Sequence, residues 1–452
     1  MTEAPLSYGQ QLLAAFAAND GGSVFGPKYL CWAARRLTGA VDVADLQRAL
    51  DDVVVRQTAL RTVVVRDEGF PFQRVLPAQP VPLVVIDLDA ATPAERRDAV
   101  ALLTADWLTR EYPSDRVPLM AAYLVRFGPV ESALVLIIHR SVADGWTMKL
   151  AIRDIMAGYE RRRRGLPPDP SPVLQYVDCA RVDASPAREE RIRAALPYWE
   201  KTLADFDVVG LSTDHPRIPS TTPVPKAMHS FAVGDATVEA VRATGRALRT
   251  SFFTVLLTAY SVCVRARTGA DEVIVPALGS GRERHQWDTI GYFLNGYVLR
   301  LDLSGDPTLA ELVARVHRVW VAAQVNDVPF VRVLEALPQV AEAAFDLESV
   351  VPAPAQLCMP IPVFDDPTAS VHYAQLMLPP ELVRETPVLP IDFVWMMEPY
   401  EPFMVRVMYN PRLFDEGTIT ALEADFHRVL RVLVDSPQTT VRSVLSMMDV
   451  RG

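Results

Sequence analysis

Four cysteines in 452 residues, Cys31, Cys179, Cys263 and Cys358, are too scattered to form a framework. No CxxC and no Cys/His pair at metal-ligand spacing occurs, so neither a zinc site nor a disulfide scaffold is expected, and a reducing compartment fits. Long apolar runs are also missing. None approaches the roughly 18 residues a membrane span needs. The opening residues MTEAPLSYGQ show no basic n-region and no apolar h-region, so no signal peptide is expected and the chain reads as cytoplasmic. Positive charge is not in excess: 45 Lys and Arg face 55 Asp and Glu, a net charge of −10. That balance argues against a nucleic-acid groove, which needs concentrated cations. The one basic run, Arg161 to Arg164, reads as a solvated helix end favoured by the helix dipole rather than a patch for an acidic partner. No GxxxxGK[ST] or strand-linked GxGxxG is present, so Gly279 and Gly281 are turn residues rather than a phosphate cradle. No GxSxG elbow or Ser–His–Asp order supports a hydrolase.

What the chain does have is ample apolar content, 50% against 22% charged. That composition is globular, and the length exceeds what one core usually supports, so two domains are expected. Asp42 can cap a helix in which Leu46, Leu50, Val53, Val54 and Gln57 share one stripe. Strands are predicted over 60–66, 82–87, 120–127 and 132–139. A helix follows over 147–159, with Met148, Leu150, Ala151, Ile155 and Met156 at helical spacing. Four prolines within 165–172 then mark a hinge, which places the domains at 1–172 and 173–452. In the second half a helix over 237–248 precedes an almost wholly apolar one over 252–264, which should be buried all round. A strand over 272–277 leads to the Gly279 turn. Nine prolines between 351 and 390 exclude a regular element there, and a connection of that length is usually functional.

The most informative stretch is 133–145, ALVLIIHRSVADG. Six apolar residues, short enough for a buried strand, empty into His139, Arg140, Ser141, Val142, Ala143, Asp144 and Gly145. This resembles the HHxxxDG signature of nonribosomal-peptide condensation domains and of the wider chloramphenicol acetyltransferase-like superfamily, with Arg140 where the second His stands. The resemblance runs in order along the chain. Residues 56–62 resemble the segment RHxxLRT, Trp146 and Thr147 resemble the Trp-Ser after the motif, and Tyr198 and Trp199 resemble the YW that opens the second half. Gly281-Arg282, then Ile290 to Asn295 and Val298 to Arg300, resemble the block GR…IGFFVNT…LR. Asp327 to Phe330 resemble DxPF, and Tyr409-Asn410 with Leu413 to Asp415 resemble YNxxLFD.

The resemblance implies an α/β fold of the α+β sandwich kind: two chloramphenicol acetyltransferase-like halves in a V-shaped pseudo-dimer with a central tunnel. Residues 1–172 would be the half carrying HRxxxDG, and 173–452 the other, with a floor loop and latch crossing near 351–390. It also implies transfer of an acyl group from a carrier-protein or coenzyme-A thioester onto an amine or hydroxyl. The motif's second His would take or hold the nucleophile's proton, which needs a pKa near neutrality. Arg140 cannot be that base, because arginine stays protonated and has no acceptor lone pair. It can donate to an oxyanion or a carboxylate. Strand alternation would turn His139 away from Arg140; His139 is kept as a candidate catalytic residue beside Arg140, Asp144 and Gly145, against the reading of a structural, hydrogen-bonded His. His285, three residues past Arg282, reads as a surface residue.

Asp144 in this family is structural, and Gly281-Arg282 matches its partner's position, so an Asp144–Arg282 bridge to the second half is expected. Asp144 can cap the following helix as well. Gly145 is expected to allow a close turn, while Trp146 and Asn295 are expected to support the site. The first reading is a free-standing, monomeric condensation-like acyltransferase of natural-product biosynthesis. It would use no cofactor beyond the phosphopantetheine thioester on an acyl or peptidyl carrier protein, and would act on a small-molecule amine. The alternative is a retired platform like the X-domains of glycopeptide synthetases, which carry His-Arg at the motif and recruit cytochrome P450 oxygenases but show HRxxxDD rather than Asp144-Gly145. The third is a coenzyme-A-dependent acyltransferase.

Overall fold

The computed structural model describes residues 2–19, 25–66, 70–205, 210–216, 226–340, 350–351, 354–357, 366–379, 381–383, 392–398 and 402–448. Much of the proline-rich stretch 351–390 lies outside them. The chain forms two compact units. The first comprises Met1–Glu189, Ser280–Leu294 and Ile361–Leu389, and the second Glu190–Gly279, Asn295–Pro360 and Pro390–Gly452.

In chain order the first unit begins with β1 (Thr2–Pro5), α1 (Tyr8–Asn19), β2 (Leu30–Thr38), α2 (Val43–Arg56), β3 (Thr62–Val65), β4 (Phe72–Val75) and β5 (Leu83–Asp87). It continues with α3 (Pro93–Thr109), β6 (Met120–Arg126), β7 (Glu131–His139), α4 (Gly145–Arg163) and α5 (Tyr176–Asp183). The Asp42 carboxylate accepts from Asp45 N at the start of α2, the N-cap that the sequence predicts. Its stripe of Leu46, Leu50, Val53 and Val54 packs with Leu150, Ala151 and Ile155 of α4 onto Leu124, Leu134, Leu136 and Ile138. The opposite face of the same sheet, with Ala133, Val135 and Ile137, is covered by Val100 and Trp107 of α3. Both faces of β7 are therefore buried, which is why its sequence reads as a continuous apolar run instead of alternating.

A cut at 172 does not reproduce the division into units, and the reason is packing. Tyr176 and Ile290 sit in the α2–α4 core, and the strand at His372–Gln375 pairs antiparallel with β2. The five-stranded sheet thus takes its edge strand from within 351–390, which corrects the expectation of no regular element there: His372–Gln375 and Ala355–Leu357 are proline-free and pair as strands. The basic run is not simply solvated. Arg162 forks onto Asp52, Arg163 reaches Asp45 and Asp42, and Arg164 reaches Asp366.

The second unit has a six-stranded sheet built on Glu272–Gly279, Asn295–Asp302, Ala355–Leu357, Phe393–Glu398, Phe403–Tyr409 and Ala227–Val233. The apolar helix Phe252–Thr268 is buried on every side from Phe253 to Val264, as its composition requires. Among the described residues no single helix is long and apolar enough to cross a membrane.

Candidate active site

The loop that follows β7 carries the motif, and all its predicted site residues except Asn295 gather in the first unit. Asp144 ends the loop as the N-cap of α4, its Oδ1 accepting from Thr147 N at 2.8 Å. The same carboxylate meets Arg282, with Nη1 to Oδ2 at 2.6 Å and Nη2 to Oδ1 at 3.1 Å, and Oδ2 accepts Phe293 N at 3.0 Å. Arg282 Nη2 also donates to Gly291 O at 2.9 Å and Thr147 Oγ1 at 3.1 Å. Thr147 Oγ1 closes the network by donating to Gly291 O and accepting Gly291 N. The Arg282 guanidinium lies 4.3 Å from the Phe293 ring centroid and 5.7 Å from that of Trp146, whose indole N–H donates to Trp287 O. A buried ion pair survives desolvation only with such extra hydrogen bonds. Arg282 comes from far along the chain, yet its segment packs with the first unit, so the bridge lies within one unit rather than tying the loop to the second.

Two expected roles need correction. Gly145 is not a steric necessity: its φ is ordinary, and a Cβ there would meet nothing within 4 Å. Asn295 belongs to the second unit, where it donates to Asp327 and Val328 and accepts Phe330 N, holding the Asp327–Phe330 turn. A glycine of the site that a side chain would crowd is Gly291, where a Cβ would overlap the Tyr176 ring. That ring cannot swing aside easily, because its hydroxyl is shared between Ser7 Oγ at 2.5 Å and Tyr292 O at 2.6 Å. Gly291→Ala is expected to destabilise by about 1–3 kcal/mol. Gly145→Ala should stay within about 0.5 kcal/mol of the parent or gain slightly from helix propensity. Urea unfolding of the two variants side by side tests the contrast.

His139 is the last residue of β7 and is 2% exposed. Its Nε2 lies 2.9 Å from Gly26 O, which can only accept, so Nε2 carries the hydrogen. Nδ1 is then the acceptor, and it is occupied by Ser141 Oγ at 2.7 Å and Ser141 N at 3.2 Å. Gln10 Nε2 in turn holds Ser141 O at 3.1 Å. Both ring nitrogens are used within the fold, and burial pushes the His139 pKa down to about 4, opposed by the Gly26 hydrogen bond. A folded pKa below the free value of 6.5 means that the unfolded chain binds the proton first as pH falls. The His139 contribution is therefore complete above pH 6.5 and is lost as pH falls toward 4. A separation of this size corresponds to about 3 kcal/mol. His139→Gln is expected to flatten unfolding free energy against pH across that window, read from urea titrations at successive pH values.

Arg140 does not continue the strand. It opens a single 3-10 turn, Arg140–Val142, so side-chain divergence here comes from the turn rather than from strand alternation. Its N–H donates to Tyr29 O at 2.8 Å, Nε donates to Leu30 O at 3.3 Å, and its guanidinium carbon stands 5.5 Å from the Tyr29 ring centroid. Arg140 is half-buried. His285 is an exposed side chain beside Glu283. Tyr29, Ser141 and Gln10 shape the site without any sequence signal of their role, whereas Thr147 and Gly291 lie in motifs that the sequence shows. Each acts through a partner distant in sequence or through a backbone group.

The condensation-domain family model matches residues 2–451, and this chain belongs to that family. Its fold is therefore that of condensation domains, with two chloramphenicol acetyltransferase-like halves. Relatives include a linear gramicidin synthase polypeptide of Brevibacillus parabrevis, 28% identical over 97% of this chain. Another is the probable non-canonical nonribosomal peptide synthetase CymA of Salinispora arenicola, 31% identical over 97% of this chain. The chain spans 8% and 6% of the lengths of those two proteins. Among solved structures, SgcC5 from Streptomyces globisporus superposes with a TM-score of 0.84 at 32% identity, covering 96% of this chain and 100% of that one. The X-domain from teicoplanin biosynthesis, solved in complex with OxyB, shares the fold at a TM-score of 0.75 and 22% identity, covering 100% of this chain and 96% of that one. Condensation domains serve nonribosomal peptide and related natural-product synthesis and work with carrier proteins.

Proposed function

We propose that this protein transfers an acyl group from a carrier-protein thioester to an amine, forming an amide, with Arg140 as the cationic donor of the motif loop. The amine nitrogen bonds to the thioester carbonyl carbon, the C–S bond breaks, and the proton lost by nitrogen ends on the departing thiol. One observation carries the reading: the Asp144–Arg282–Thr147–Gly291 scaffold is complete while both nitrogens of His139 are engaged. Among the described residues no free protein base then stands at the motif, so on this reading the nucleophile is competent by itself. A neutral amine attacks a thioester without prior deprotonation, whereas a hydroxyl does not. Losing a general base costs about 10²–10⁴-fold, while holding two reactants in place contributes about 7–11 kcal/mol, so positioning alone supports a useful rate. The donor partner on this reading is an acyl or peptidyl carrier protein, and no further cofactor takes part.

The test is intact-mass detection of acyl transfer from loaded carriers to an amine panel, with Arg140→Ala and Arg140→His beside the parent. Transfer by the parent that weakens in Arg140→Ala supports the proposal. The absence of a motif base also favours a second reading, a non-catalytic platform that recruits a cytochrome P450. Silence toward every loaded carrier, together with saturable binding of a P450, would replace the first reading by the second.

A further inference from the structure

The edge of a sheet presents a row of unpaired backbone N–H and C=O groups, which proteins usually guard with charge, proline or a bulge. β5 is an edge strand of the five-stranded sheet and pairs with β6 alone among the described residues. The pairing is parallel, and its register fixes which groups it uses. Ala122 N donates to Pro82 O and Leu88 N to Arg126 O, both at 2.9 Å, so the even-numbered residues bond to β6. The backbone groups of Leu83, Val85 and Asp87 therefore point outward. Pro82 does not guard this edge, because its missing N–H lies on the β6 side. Leu83, Val85 and Ile86 are half-buried and Val84 is 42% exposed. Leu83 and Val85 lie against the α2–α4 core and Ile86 against the α3 core, so both faces of the edge are apolar. The other edges of the two large sheets carry polar residues: His372 and Gln375, Arg300 and Asp302, His229 and Ser230. The one charge in β5 is Asp87, which Arg126 meets with two hydrogen bonds at 2.7 and 2.8 Å. We infer that β5 pairs antiparallel with β5 of a second copy of this chain, about a two-fold axis at Val85. Two five-stranded sheets then join in a symmetric dimer, in place of the monomer expected from the motifs.

Charge and side-chain pattern single out a second copy as the occupant. Antiparallel pairing at Val85 sets Val84 opposite Ile86 of the other copy, an apolar cross-strand pair on the α3 face. Leu83, Val85 and Asp87 of each strand exchange about six hydrogen bonds with their counterparts. The two Asp87 Cα atoms then stand ~14 Å apart at ~3.4 Å per residue, beyond the ~8 Å screening length at physiological salt. Each Asp87 also keeps its own Arg126. A parallel arrangement would instead set Asp87 beside Asp87. An acidic peptide is disfavoured by the net charge of −10. A basic one would find only Asp87, which is already paired. The two-fold axis uses up both free edges, so association stops at the dimer instead of growing into a fibre. A contact centred on five residues a side falls below the roughly 1,200 Å² of a standard stable interface, so the dimer is weak, with Kd on the order of 10 µM.

The experiment is sedimentation equilibrium of the full chain from about 1 to 200 µM, a range in which a weak dimer declares itself by mass action. The parent is expected to pass from monomer to dimer and to go no further. Val84→Lys, which puts an ammonium on each side of the seam, should weaken association about 10-fold or more. Val85→Pro removes an outward N–H at an edge position where proline is tolerated, and should abolish it. Val325→Lys, at a residue 77% exposed on the helix Leu309–Val325 of the second unit, should leave it unchanged. Hydrogen exchange at low and high concentration locates the contact. The amides of Leu83, Val85 and Asp87 should slow as dimer forms, while those of Val84 and Ile86, already bonded to β6, should not. A monomer at every concentration overturns the inference. So does association that Val84→Lys and Val85→Pro leave intact, or that Val325→Lys weakens as much. Protection gained on another edge, with the three β5 amides unmoved, overturns it as well. Thermal melts identify any variant that fails to fold, and Val84→Lys, at a partly exposed side chain, carries the test if Val85→Pro does.

Discussion

Asp144→Ala is expected to lower the unfolding free energy by about 3–5 kcal/mol, the largest single stability loss the site can show. The Arg282 side chain is fully buried and Asp144 is nearly so. Removing the carboxylate strands a guanidinium in a low-dielectric interior with only Thr147 Oγ1 and the Gly291 and Ser280 carbonyls to face it. It also takes away the acceptor of Phe293 N and the N-cap of α4, the latter alone worth about 1 kcal/mol. Urea unfolding of the single variants and of Asp144→Ala with Arg282→Met checks the point. The double variant should recover part of the loss, because removing both charges abolishes the stranded one. A loss below about 1 kcal/mol in Asp144→Ala would mean that the pair is solvated and the loop is held by other contacts.

The second large effect is on turnover. Arg140→Ala is expected to reduce kcat/KM for acyl transfer about 10²-fold or more, since deleting one charge-stabilising donor typically costs roughly 2.7–4 kcal/mol. His139→Gln should stay within about threefold once the protein is folded, because neither ring nitrogen is available to substrate. Turnover abolished in a well-folded His139→Gln variant, with Arg140→Ala unimpaired, would make His139 the base and require Gly26 and Ser141 to release it. The comparison is clean because the two residues are adjacent in sequence while their side chains have different partners: Gly26 and Ser141 for one, Tyr29 and Leu30 for the other.

Local determinants were legible in the chain itself. The Asp42 cap, the α2 stripe, the unbroken apolar β7 and the all-round apolar helix Phe252–Thr268 follow from propensity and period, which act over a few residues. The family, and with it the pairing of Asp144 and Arg282 across 138 positions, was legible through ordered motifs rather than through any local rule. Tertiary structure alone decided three things. Packing of Tyr176 and Ile290 into the first core, and of His372–Gln375 onto β2, set which segments make up each unit. The chain turning at Arg140, instead of running on as strand, set where His139 and Arg140 point. Three partners of His139 and Arg140, Gly26 O, Leu30 O and the Tyr29 ring, lie about 110 residues away. Two of these are backbone carbonyls, which every residue type supplies, so the amino-acid identities in between carry no trace of the contact.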